Sequence, residues 1–262
     1  MAVVVPVFKG ARSTAARVQE AAALRQLLFA WTSYATDSGG ALMPGFKTGL
    51  PVYQSNGEPI PPTAYGNAQQ IAARYPWRVA KQLGHDFRAM YSNDNAATLQ
   101  QLESGDPQQF YYFASLYPSF GMNSVWVGGD EQRYGFLPAT LPSGQVNPLS
   151  GFYVTRLSGI KHPERLTVFA SARTDLTDSG TLVEGYFRIE SPLFVTGQAT
   201  TWAAEYDPAA PASFGNLSAR HSGSVLVGTA DGGVELVPVD EMRDMRRWAD
   251  RATSATWQIG TP

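Results

Sequence analysis

The chain has no cysteine, only three histidines in 262 residues, and no apolar run approaching the roughly 18 residues that a membrane span requires. The absence of cysteine excludes disulfides, thiolate catalysis and thiolate metal sites, and leaves the compartment open. An excess of one charge is also missing: 20 Lys plus Arg stand against 22 Asp plus Glu. That balance argues against a surface built for phosphate backbones, so nucleic acid is not an expected partner. The nucleophile elbow G-x-S-x-G is absent. His85, His162 and His221 include no i, i+4 pair that could hold zinc on a helix. Each reads as a surface or hydrogen-bonded structural histidine, and no catalytic residue, metal or cofactor is assigned. A hydrolase would need one of them gathered with a serine and a carboxylate in one cleft.

Two further constellations read as structural. Asp175, Asp178 and Glu184 could offer oxygens to calcium, but their spacing fits no calcium loop and suits a solvated connection between strands. Arg243, Arg246, Arg247 and Arg251 alternate with Asp240, Glu241, Asp244 and Asp250, the pattern of a charge-balanced, solvated face.

What is present begins with a long amphipathic segment over residues 7–36. Val7, Ala11, Ala15, Val18, Ala22, Leu28, Trp31 and Ala35, widened by Leu24 and Leu27, form an apolar stripe; Lys9, Arg12, Arg17, Glu20 and Arg25 face water. Asp37-Ser38-Gly39-Gly40 supplies the stop. About 30 helical residues would run about 45 Å, more than a compact domain of this size needs. With 44% hydrophobic residues the chain can bury one sizeable core. Residues 1–8 are apolar but short, lacking the charged region and cleavage site of a complete signal peptide.

Residues 42–67 hold five prolines and read as an ordered loop or flap. A second helical pattern opens at Tyr75-Pro76-Trp77, with Trp77, Ala80, Leu83, Phe87 and Met90 or Tyr91 on one face. Short helices follow over 95–103 and, capped by Asp106 before Pro107, through Leu116. The period then changes. Residues 123–128, 165–172 and 182–190 read as strands, the last two as antiparallel neighbours. Residues 224–237 read as a hairpin turned at Asp231-Gly232. A last helix is expected from Asp240, with Met242, Met245, Trp248 and Ala252 on its apolar face.

The six tryptophans (Trp31, Trp77, Trp126, Trp202, Trp248 and Trp257) and the run Phe110-Tyr111-Tyr112-Phe113 admit two readings. Core packing is the common use of such rings. A glycan-binding surface on the loops 42–67 and 129–150 is the alternative.

In this order the features resemble a bacterial type IV pilin-like or type II secretion pseudopilin-like protein of the H-X9-DG group. The signature stands as His221, nine residues, then Asp231-Gly232, preceded by Ala219-Arg220 and followed by Ser222-Gly223. Arg74-Tyr75-Pro76-Trp77-Arg78, Pro118-Ser119-Phe120-Gly121-Met122-Asn123, Val127-Gly128-Gly129-Asp130 and Leu24-Arg25-Gln26-Leu27 add to the likeness, which spans nearly the whole chain. The resemblance implies an α+β fold: one domain with an N-terminal helix over 1–36 packed on an antiparallel sheet in a headgroup over 37–262, short extra helices and a C-terminal helix. It implies a non-enzymatic structural subunit of a cell-envelope or secretion-associated filament, with its headgroup periplasmic or extracellular. Partners would be other pilin-like subunits through the N-terminal helix, and secretion cargo or a surface ligand. The family's apolar anchor is not present in full. Membrane contact is therefore expected only through a segment upstream of Met1, with residues before about Ala11, including Val3, Val4, Val5 and Phe8, projecting from the body or packing against another copy. His221, Asp231 and Gly232 are expected to be structural, the histidine near the end of the hairpin far from its turn. The alternative function is an extracellular module binding a glycan or other surface ligand on the same fold.

Overall fold

A computed structural model describes residues 4–65, 69–92, 94–175, 177, 180–197 and 199–260; the side chains of residues 4–13, Tyr65, His85 and Asp94 lie outside that description. The expectation that Val3, Val4, Val5 and Phe8 project therefore falls outside it too. The protein is α+β. Helix α1 spans Val4–Asp37, 34 residues and roughly 51 Å at 1.5 Å per residue. It ends as the sequence foretold, with Gly39 and Gly40 at φ +63° and +87° and the Gly40 amide donating to the Ala35 carbonyl at 2.7 Å.

The short helices are α2 (Gln70–Ala73), α3 (Pro76–Leu83), α4 (Asp94–Gly105) and α5 (Pro107–Leu116). Asp106 caps α5 by accepting from the amides of Gln108 and Gln109. The face beginning at Trp77 is buried as expected, but Gly84 at φ +54° divides it: after α3 the chain continues as a 3-10 turn, Gly84–Met90.

Four strands form one antiparallel sheet in the order β1-β2-β5-β6: β1 Phe120–Met122, β2 Thr167–Ser171, β5 Ser224–Thr229 and β6 Val234–Pro238. A separate ladder pairs β3 (Arg173–Thr174) with β4 (Val183–Glu184). Both faces of the main sheet are covered. Leu226 and Phe169 point into a core with α1 and α3; Val225, Val227, Ala170 and Val237 point into a second core with Trp126, Phe152, Trp202, Phe214 and Trp248. Gly228 on β5 admits α1, because a Cβ there would stand 2.9 Å from Leu28 Cδ1 and 3.2 Å from Leu24 Cδ1.

Four expectations change. Among the described side chains the buried residues of α1 are Glu20, Leu24, Leu27, Leu28, Ala30, Trp31 and Ala35, while Ala15, Val18 and Ala22 face outward. Residues 123–128 turn instead of extending: the Val127 amide donates to the Asn123 carbonyl, and Asn123 Nδ2 donates to the carbonyls of Thr167 and Trp248. Of 182–190 only β4 is a strand, since Gly185 at φ +109° turns the chain, which then runs beside β1 through Phe187 and Ile189. Among the described residues no C-terminal helix forms. Two 3-10 turns, Val239–Arg243 and Met245–Arg247, flank an extended Asp244 whose carboxylate accepts from the Arg246 amide. Met242, Met245, Trp248 and Ala252 are still buried, because burial selected those positions without needing a helix.

The proline loop and the Arg74–Arg78 stretch are knitted together by buried arginine. Arg78 donates to the carbonyls of Pro44, Lys47 and Ala72, and burial holds its pKa down to about 10. Asp130 is fully buried: its carboxylate meets Arg188 Nε at 2.9 Å and accepts from Ser124 Oγ at 2.7 Å. Burial raises the Asp130 pKa; Arg188, Ser124 and the Gln132 amide oppose that rise.

Candidate functional site on the long helix and its anchor

The signature histidine is aimed by its own backbone. Ser222 and Gly223 take left-handed conformations, φ +54° and +81°, and His221 and Ser224 exchange backbone hydrogen bonds across this turn into β5. His221 and Arg220 thereby face α1. The Glu20 carboxylate lies 3.1 Å from His221 Nε2 and accepts from Arg220 Nε at 3.0 Å. Arg220 also reaches the carbonyls of Ala172 and Ser119 and stands 3.5 Å from Glu184, which in turn pairs with Arg173 and accepts from Ser218 Oγ. One buried carboxylate on the helix is thus tied to the segment entering β5, and through Arg220 to β4.

Asp231 and Gly232 form the other end of the same hairpin. Gly232 at φ +88° closes a loop in which the Thr229 amide donates to the Gly233 carbonyl and the Gly232 amide to the Thr229 carbonyl. Asp231 accepts from Thr229 Oγ1 and the Gly233 amide, which hold its pKa below the usual carboxylate value. Strand β5 separates this turn from His221, in agreement with the sequence reading. Both ends of the signature have structural partners.

On its other side the described part of α1 is open to solvent. Residues 14–19 are all exposed; Val18 is 62% and Phe29 76% exposed, with Ala22 between them. Eleven residues at about 100° each return to within about 20° of the same direction, so Val18 and Phe29 share a face about 16 Å apart. Beside Glu20 lies a cavity of about 510 Å3 lined by Gln19, Ala23, Gln26, Arg88, Tyr91 and Ser92.

The other candidates disperse. The His162 side chain is half-exposed, 3.8 Å from Glu164, and no serine hydroxyl is a hydrogen-bond partner of the His162 or His221 ring among the described residues. The His85 side chain and Asp178 lie outside the described residues. Glu184 is committed to arginines and Asp175 to the Ala212 amide. No group of three or more metal-type ligands occurs among the described residues. Arg246 pairs with Asp244, Arg247 with Glu235 and Glu241, and Arg243 with Asp240. Asp250 is instead buried, accepting from the amides of Lys161 and His162. Five tryptophans are buried and Trp257 is partly so, which removes them as an exposed glycan platform.

Glu20 is buried, although its charge suggests the wet face of the helix. Its spacing to Leu24, Leu27 and Trp31 was the available signal, being the i, i+4, i+7, i+11 pattern of the buried side. Among the described residues no helix is long and apolar enough to cross a membrane. Comparison with family models, curated proteins and solved structures finds no match to this chain.

Proposed function

We propose that the chain is a non-enzymatic, pilin-like structural subunit of a cell-envelope or secretion-associated assembly, in which α1 packs against the same helix of neighbouring copies while the headgroup faces the periplasm or the outside. The observation that carries this reading is the two-sided character of α1. One side is locked to the sheet by Leu24, Leu28, Trp31 and the Glu20 anchor; the other offers Val18, Ala22 and Phe29 to solvent. A large ring and a β-branched side chain on one helical face lose less free energy in water once a second apolar surface covers them. The H-X9-DG order, with His221 on the anchor and Asp231-Gly232 on the hairpin turn, supports the same reading. Analytical ultracentrifugation of the wild type and of a Val18→Lys, Phe29→Lys variant tests it. Reversible association that the variant lacks is expected, and identical sedimentation of the two over a wide concentration range would oppose it.

A further inference from the structure

We infer that a second region of the molecule, a groove of about 630 Å3 lined by Phe46, Thr48, Gln70, Tyr112, Glu131 and Gln132, binds a neutral saccharide. None of these residues lies on α1, so the inference stands apart from the assembly reading. The volume falls within the roughly 300–1,000 Å3 typical of small-molecule sites.

The groove floor is hydrogen-bonded to chain segments on both sides. Phe46 bridges Arg74 on one side and Asp130 on the other, the Lys47 amide donates to the Ala73 carbonyl, and the Glu131 amide to the Phe46 carbonyl. Two buried arginines then orient the amides at the surface. Arg74 Nη2 donates to Gln70 Oε1 at 3.2 Å, and Arg188 Nη2 donates to Gln132 Oε1 at 2.8 Å. An arginine has no acceptor, so each glutamine must turn its oxygen inward and keep its NH2 as a free donor. Neither NH2 has a partner among the described residues. Glu131 supplies the complementary acceptor: Oε2 is pinned by the Thr48 amide and hydroxyl, both at 2.8 Å, and these bonds hold its pKa below the usual carboxylate value.

Tyr112, 42% exposed, adds a ring steadied by the Arg74 guanidinium 5.4 Å from its centroid. Oriented donors, a fixed acceptor and an exposed ring together match a sugar, whose hydroxyls both donate and accept and whose C–H faces are apolar. The cations themselves are withheld from a ligand: Arg188 is spent on Asp130, Glu190 and Gln132, and Arg74 on Ser115 and Gln70. With Glu131 at the surface, a neutral ligand is favoured over an acidic one.

Isothermal titration and protein-observed NMR with neutral trisaccharides of glucose, mannose, xylose and N-acetylglucosamine, and with a galacturonate trisaccharide, test this. At least one neutral trisaccharide is expected to bind and to shift the signals of Gln70, Gln132 and Tyr112. Tyr112→Ala should weaken it about tenfold, equal to about 1.4 kcal/mol, and Tyr112→Phe much less. If Tyr112→Ala fails to fold, Gln70→Ala replaces it with the same expectation. Binding of none of the neutral sugars, binding of the galacturonate alone, or unchanged affinity in the folded alanine variant would overturn the inference.

Discussion

Glu20 and His221 are 201 positions apart in sequence, yet Glu20 Oε2 and His221 Nε2 lie 3.1 Å apart at a site that is nearly closed to solvent. Arg220 completes the contact, so the anchor of the long helix is a carboxylate held by two consecutive side chains, Arg220 and His221. Replacing Glu20 by Ala leaves Arg220 with Glu184, 3.5 Å away, as its remaining carboxylate partner and should cost about 1.5–3 kcal/mol in urea unfolding. His221→Gln, which keeps a donor for Glu20, should cost under about 1 kcal/mol. Hydrogen exchange should quicken in α1 around residues 18–24 in Glu20→Ala while the amides of β5 stay protected.

The Asp130–Arg188 pair is the more deeply buried of the two ion pairs. Asp130→Asn is expected to destabilise by about 3 kcal/mol, because the buried charge on Arg188 keeps only Glu190, 3.5 Å away, as a carboxylate partner. Asp130→Leu combined with Arg188→Met should recover most of that loss in thermal unfolding, since the pair is then removed together.

Asp231 gives the hairpin turn a pH dependence of known sign. Its folded pKa is depressed by Thr229 Oγ1 and the Gly233 amide. Its contribution is therefore complete above the unfolded aspartate value of about 3.9 and fades as pH falls through the lower folded value. Asp231→Asn should melt earlier than the wild type at neutral pH, and the gap in melting temperature should narrow steadily below about pH 4.

Val18→Ser and Phe29→Ser should each leave the stability of the isolated chain within about 0.5 kcal/mol, as both side chains are exposed. A larger loss in denaturant unfolding would mean that the face is already packed within one copy.

Elements with strong local chemistry were legible in the sequence. The Gly39-Gly40 stop, the Asp106-Pro107 start and the Asp231-Gly232 turn each depend on one or two residues whose backbone preference needs no distant partner. Tertiary demands decided the rest. Met242, Met245 and Trp248 carry helical spacing, but Asp244 takes an extended conformation between them and the second core accepts their side chains from 3-10 turns. On α1, alanines at 15 and 22 and valine at 18 looked like part of the buried stripe, and Glu20 looked wet. Which side faces the sheet was decided by the narrow fit of Leu24 and Leu28 over Gly228 and by the pairing of Glu20 with Arg220 and His221. The groove glutamines gave no sequence signal, because their orientation depends on arginines at positions 74 and 188.

The central claim is that the outward face of α1 joins copies of this chain. Because the protein has no native cysteine, single substitutions report cleanly on proximity. Val18→Cys and Phe29→Cys proteins, purified, oxidised in solution and run on non-reducing gels, should yield disulfide-linked dimers at both positions, while Glu164→Cys, on an exposed turn away from α1, should not. Monomers at positions 18 and 29, or equal cross-linking at all three, would contradict the account.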